Sequence, residues 1–498
     1  MSSTTDRRRR AAGRERGQVL AIFAFGLVGI MAVAALVFDV GQNLFERRKQ
    51  QDAADAAALA GARFMVESGS GCKTTPNKVT CKNAVDAAEA LAEQHGYAPS
   101  QIQINIPPTT TSNYSGFPGH IQVTINSARD SFFAGVLGLK NFSISAMAVA
   151  GNLDNYPFPY SFLALGTGCK AGHIGGNGNF DIQGNVFVNS TCENPGALVF
   201  DGNSTTANIT GDCGAAGAIG FGPAIVTCGS TTDHQDPISD PLAGLGPPLI
   251  GSGAVPDPPT SLSVVGGTLK TSGPNSAKSC PGGALPGTAA APKLCKIEVN
   301  SGSPVVRMYP GVYFGGVEIQ EGPSDNLTIY MEPGIYYMAG GGFLVNGAVD
   351  ITTVASGTTT YGGGVLIFNG DDPTYTAACN AGTAPGGACI GAFDFQNTTG
   401  GTIAIHGYTG PTYTTIVVFQ DRDASAQPPV KLTGNSTMMV EGTFYLPKAN
   451  FQFNGNGGSF VLDAQIICDA FDVQGNGSLT VTYVPGDGLL LSLVGLVQ

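Results

Sequence analysis

Three groups of residues in this 498-residue chain have the types and spacing for chemistry. Asp371, Asp372 and Asp394 lie in strand-and-turn text and offer the carboxylates of a polysaccharide-cleaving enzyme, although a fold that hosts such enzymes does not by itself confer their activity. Asp233, His234, Asp236 and Asp240 offer oxygens and one imidazole to a metal; the plainer reading is a solvated Pro-rich loop. Gly175-Gly176-Asn177-Gly178-Asn179-Phe180-Asp181 nearly matches the calcium β-roll repeat GGxGxD. Phe180 occupies the Asp position, however, and the motif does not recur nine residues on, which leaves a strand corner. His95, His120, His173, His234 and His406 are scattered, and none neighbours a Ser or Cys nucleophile in sequence. No Walker A, HExxH or Gly-x-Ser-x-Gly pattern occurs. The sequence therefore assigns no catalytic, cofactor-binding or metal residue and predicts a protein that is not an enzyme.

Cysteine supplies the remaining chemistry. The eleven cysteines fall at 72, 81, 169, 192, 213, 228, 280, 295, 379, 389 and 468. The first ten form five neighbour pairs, and closure of these short loops fits an exported domain in an oxidising compartment. Connectivity is not fixed by sequence; nearest-neighbour pairing is the simplest scheme. Cys468 is left over within a strand and reads as a buried thiol. Zinc would need Cys-x-x-Cys spacing, which is absent.

The elements that must position these residues begin with a membrane segment. Val19–Phe38 is twenty residues without a charge, which at 1.5 Å per residue of helix matches a hydrocarbon core of about 30 Å. Six arginines precede it, whereas Arg47, Arg48 and Lys49 follow, so the N-terminus is expected in the cytoplasm and the body outside. A cleaved signal peptide starts similarly. This run is long for one and continues into Ala-, Gln- and Glu-rich text, which favours a retained anchor extending as one helix to about Val66. Ala53, Ala56, Ala57, Ala60 and Gly61 form a small-residue stripe suited to close helix packing. Residues 1–66 carry a net charge of +4 and the remainder −16. So acidic a body disfavours nucleic acid.

The block Arg16–Ala62 carries a resemblance. Arg16-Gly17-Gln18 precedes the apolar helix, Asp39-Val40-Gly41 ends it, and Gln51-Asp52-Ala53-Ala54-Asp55-Ala56-Ala57-Ala58-Leu59-Ala60-Gly61-Ala62 follows. It resembles the N-terminal segment of TadE/TadG-like proteins of Flp (tight adherence) pilus assembly, on the TadG-like side. Pilin-like relatives are cut after a Gly and carry a Glu five residues on; here Ile22 stands at that position, which favours an uncleaved anchor. The von Willebrand-type metal motif of some TadG relatives is not visible. The resemblance implies an inner-membrane accessory protein whose partners are other Tad components, met through the N-terminal helix.

The expected organisation is a cytoplasmic basic tail at 1–18, the transmembrane and extended helix at 19–66, and a small α+β unit at 67–151. That unit holds a helix at 83–96, strands at Gln101–Ile106, His120–Asn126 and Phe142–Ala150, and a second helix at Ser131–Leu139. Residues 152–232 start a β-rich solenoid, 233–296 form a Pro/Gly-rich insertion or linker, and 297–488 complete the solenoid. Residues 489–498 are an apolar tail expected to cap the last rung. Tyr309-Pro310-Gly311-Val312-Tyr313 and Glu332-Pro333-Gly334-Ile335-Tyr336 share a template, and Gly455-Asn456-Gly457 recurs at Gly475-Asn476-Gly477. Repeats of this length signal a stacked fold. The fold class predicted is mainly β: a transmembrane α-helix, a small α+β unit, then a right-handed parallel β-helix, with a β-sandwich as alternative. The function predicted is an anchored accessory of pilus assembly whose exported domain serves interaction or adhesion, with envelope polysaccharide or protein as further partners. The alternatives are a membrane-tethered carbohydrate-active enzyme and a surface adhesin without a pilus role.

Overall fold

A computed structural model of the chain describes residues 15–67, 77–109, 115–116, 119–131, 141–251, 255, 257–322, 326–353, 363–397, 401–410, 412–434, 437–455, 459–482 and 490–496. The helix expected at Ser131–Leu139 and the corner at 456–457 lie outside them. The chain divides into two units, residues 1–156 with 491–498, and residues 157–490.

In the first unit one helix runs Glu15–Glu67, consistent with its Ala- and Gln-rich composition. The anchor expected at Val19–Phe38 falls partly on side chains outside the described set; among the described residues no helix is long and apolar enough to cross a membrane. The small-residue stripe is consumed within the chain. Ala53, Ala54, Ala57, Ala58 and Ala62 are buried in one cluster with Ala84, Ala88 and Ala92 of the helix Lys82–Gln94. A Cβ on Gly61 would lie 2.6 Å from Ile121 Cδ1 and 3.1 Å from Ala88 Cβ, so a larger residue would require both neighbours to shift. Gln50, also buried, donates to Ile144 O at 3.2 Å and ties the helix to a sheet. That sheet orders the strands Ile102–Asn105, His120–Asp130, Asn141–Pro157 and Leu490–Leu496. The tail thus does not cap the last rung. It adds to the free side of Asn141–Pro157, where its backbone gains partners, and the second unit is inserted between these two strands.

The second unit is built from short parallel strands. Each circuit of the chain contributes three, and each strand pairs in register with its counterpart in the next circuit. On the first side the inward residues Ile297, Ile319, Val345, Phe395, Leu432, Phe453 and Val473 form one column. All are at most 1% exposed. Ile329 and Ile351 are equally buried on the second side, whereas Glu318, Asp350 and Asp472 project outward, as the period-two alternation predicts. The antiparallel hairpins that a β-sandwich requires are absent among the described strands of residues 311–481.

The stacking order departs from chain order. Beyond Ser478–Val481 the next circuit is the first one in sequence: Val473 pairs with Ile174, Ser478 with Asn179 and Ile466 with Phe162. From there the stack continues through residues 185–209 to its end at Ile219–Phe221, Ile225–Thr227 and Thr231–Thr232. The chain then returns to the opposite end, where Ser263–Leu269 pairs antiparallel with the long strand Cys295–Met308.

The returning Pro-rich segment is a strap along the third side. Asn189 and Ile238 exchange bonds of 2.7 and 2.8 Å, Tyr445 OH donates to Asp240 Oδ2 at 2.8 Å, and Arg422 donates to Leu242 O and Ala243 O at 2.9 and 3.0 Å. Tyr413 OH donates to Gly246 O at 3.1 Å. On this side the outward column Tyr337, Phe368, Phe419 and Tyr445 is itself buried, with ring centroids 4.6, 5.1 and 5.0 Å apart.

Truncation of Ile329 to Ala should lower unfolding stability by about 2–5 kcal/mol in denaturant titration, because a cavity opens between circuits. Glu318→Ala should be nearly neutral: its carboxylate meets Lys296 at 3.5 Å on the surface, where such pairs contribute little.

Candidate functional site

Of the carboxylates singled out by sequence, Asp371 and Asp372 hold turns and loops, whereas one oxygen of Asp394 is buried without a hydrogen-bond partner among the described residues. Asp371 is 3% exposed. Its Oδ1 accepts from Ile390 N and Ser425 Oγ, both at 2.8 Å, and its Oδ2 from Ser425 N at 2.7 Å, which pins two loops to one strand end. Asp372 accepts from Thr374 N at 2.9 Å and starts the turn into the short helix Thr376–Asn380. Asp394 stands on the first side, with its Oδ2 accepting from Gln396 at 2.9 Å. Burial raises its pKa, against the opposing influence of Gln396 and Lys431.

The group in the strap is split. His234 is exposed and contacts Asp233 and Glu193, whereas Asp240 turns inward to Tyr445 and lies 3.6 Å from Arg422. Burial, then the Asp240 carboxylate, raises the pKa of the Tyr445 hydroxyl and keeps it a donor. Among the described residues no group of three or more His, Cys, Asp and Glu side chains could hold a metal. In the β-roll-like motif Phe180 is a core residue, while Asp181 faces out and accepts from Asn208 at 3.2 Å.

The stacking creates one polar constellation that the sequence did not reveal. His173 sits where the circuit Tyr160–Ile182 meets Ser459–Val481, so its neighbours come from distant text. Its Nδ1 is 2.7 Å from Asp472 Oδ1, and its Nε2 is 2.9 Å from Asp201 Oδ1, an ionic contact without good hydrogen-bond alignment. Lys170 approaches Asp201 at 3.3 Å, and Gln474 donates to Asp472 at 2.6 Å. A shallow hollow of about 230 Å³ opens beside His173, lined also by Lys170, Gln452 and Asp472. The Asp472 hydrogen bond raises the pKa of His173 against the opposing effect of burial. Burial alone would raise both carboxylates, yet His173 brings Asp201 and Asp472 below their ordinary range. Two carboxylates in contact favour the charged form of the histidine, which makes the group an ion-pair clamp and a poor general base.

Disulfides join Cys169–Cys192, Cys213–Cys228, Cys280–Cys295 and Cys379–Cys389, the neighbour scheme expected. Cys81 is also disulfide-bonded; its expected partner Cys72 lies outside the described residues. Cys468 is a buried thiol whose pKa burial raises.

Residues 17–63 match the Tad family, described as Flp pilus-assembly TadE/G-like, and residues 41–150 match Tad_C, described as Tad-like Flp pilus-assembly. No curated protein and no solved structure matches the chain.

The clamp makes stability depend on pH with a definite sign. Stability from charged His173 is fully present below its ordinary value of 6.5 and is lost as pH rises through its raised folded value. Stability from Asp201 and Asp472 is present above their ordinary 3.8 and is lost as pH falls through their lowered folded values. Between pH 6 and 9 the wild type should lose about 0.5–1 kcal/mol more than His173→Gln, read from denaturant midpoints at each pH.

Proposed function

With a Tad-like N-terminal region at residues 17–150 as the starting point, we propose that the protein is a membrane-anchored accessory of Flp pilus assembly. The helix Glu15–Glu67 is its anchor and holds the N-terminus in the cytoplasm. The observation that carries this reading is the charge-free run Val19–Phe38 in that helix together with the exposure of its described side chains: Ile22, Phe23, Phe25, Leu27, Val28 and Ile30 all lie open, in every direction around the axis. A helix apolar all round is a membrane span or a buried core element, and none of the described residues covers these side chains. Further along, the Ala face is filled by the chain's own short helix. Contacts with other Tad components therefore use the earlier part of the helix.

The body is exported, a reading supported by the disulfides. Its in-register parallel circuits read as a right-handed parallel β-helix, a rigid module for interaction with envelope polysaccharide or protein. The module is not catalytic in this reading. Support comes from Asp371, whose oxygens are taken up by Ile390 and Ser425, and from His173, which is clamped between carboxylates. Asp371→Asn should consequently loosen the loops at 390 and 425 without abolishing any turnover; polysaccharide cleavage lost on replacing Asp371 or Asp394 would refute the non-catalytic reading.

Protease added to spheroplasts should digest the body and leave a short protected N-terminal fragment. Gly29→Arg should prevent stable insertion, because a charge near the bilayer centre costs at least about 2.5 kcal/mol. Release of the whole protein from membranes by carbonate would overturn the anchor.

A further inference from the structure

The two ends of the stacked domain are finished differently. At one end Ser263–Leu269 and the segment closed by Cys280–Cys295 lie over the first circuit, and the inward residues Cys295, Ile297 and Val299 are at most 4% exposed. At the other end no further strand follows among the described residues. Phe221 continues the inward column, in register with Phe200 and stacked on it at 5.6 Å, yet it is 56% exposed. Ile219 and Val226, also in inward register, are half-buried. The strands Ile219–Phe221 and Ile225–Thr227 each pair on one side alone among the described residues, which leaves a row of backbone groups open.

Stacked folds need polar capping repeats at their ends, and free strand edges are ordinarily protected by charges, proline or a covering element. This end carries no charged residue from Cys213 to Thr232, Asp212 and Asp233 lie just outside it, and its Pro223 sits in the turn between the two edge strands and not within either. We propose that it is an interface, and that its occupant is the same end of a second copy. A lone strand from another protein would satisfy one edge, whereas the exposed apolar groups lie on two sides of the circuit, Phe221 on the first and Ile225 on the second. The end of another stack covers both sides together. Two identical uncharged edges meet without repulsion, although the body as a whole is acidic. Antiparallel pairing about a two-fold axis makes the contact isologous. Because the opposite end is capped, association stops at a dimer and does not propagate into a fibre.

The test is the mass of the full-length chain, released in mild detergent and measured by native mass spectrometry at micromolar concentration. The wild type should be dimeric. Ile225→Lys and Thr227→Lys place charges on exposed edge positions and should each weaken the dimer at least about tenfold, giving folded monomer whose thermal midpoint, unlike the wild type's, does not rise with protein concentration. Val265→Lys, an equally exposed position at the capped end, should remain dimeric. A monomeric wild type, an assembly larger than a dimer, a dimer that neither edge variant dissociates, or a loss of dimer in Val265→Lys would each overturn the proposal.

Discussion

An inward residue in this domain is dry only when the circuits on both sides of it are in place. A single circuit has three strands of about two to six residues each and no second layer of its own, so its apolar groups have nothing else to pack on. The parallel register enforces the arrangement: backbone bonds between circuits place each Ile, Val or Phe over the equivalent residue of the neighbour. Corners follow from the same demand, since a strand this short must turn sharply without filling the space of the corner above. Gly475, at φ +124°, takes a conformation that L side chains avoid, and a Cβ there would meet Gly455 O at 2.2 Å.

The circuits are stacked in a permuted order. The strands Asn141–Pro157 and Leu490–Leu496, which flank this domain in the chain, belong to one sheet. A stack threaded in simple order would put its two ends at opposite extremes. Here the first circuit, from Tyr160, lies directly on the last, ending at Val481, so entry and exit are neighbours in mid-stack. The consequence is one long crossing from Thr232 to Ser263. His173, Asp201 and Asp472 lie at the junction that this order creates. Their ion pairs add to a contact whose main strength comes from Phe162, Ile174 and Phe180 packed on the circuit beneath.

Much of this was legible in the residues. Period-two alternation identified Ile319, Ile351 and Val473 as core and Glu318 and Asp472 as surface, because a strand has no other way to separate its faces. The long helix was legible from its Ala- and Gln-rich text, and the neighbour disulfides from short spacings. The junction was not, since pairing across 299 residues leaves no local pattern. One trace exists: Ile174 precedes Gly176-Asn177-Gly178 as Val473 precedes Gly475-Asn476-Gly477, and the two Asn side chains bond at 3.3 Å. The strap read as a linker because, Asp240 aside, it is held through its own backbone, which Asn189, Arg422 and Tyr413 bond regardless of the residues that carry it. The part Asp371 plays in pinning loops was not legible because Ser425, its partner, is 54 positions away.

The strap also decides which surfaces remain for recognition. Outward residues on the second side are Thr328, Asp350, Thr402, Thr437, Asn179 and Thr206, and on the first side Glu318, Lys431, Gln452 and Asp472, all open or half-open to solvent. The third side alternates differently: both its inward residues and its outward Tyr337, Phe368, Phe419 and Tyr445 are apolar or aromatic and buried. A strand apolar on both faces would expose a wide aromatic stripe if left bare, and such stripes associate indiscriminately. Asp240, Arg422 and Tyr445 bind the crossing segment over that stripe, with the Arg422 guanidinium 5.5 Å from the Tyr445 ring centroid. The crossing segment thereby covers the Tyr445 end of the third side, and the first and second sides are left open to solvent.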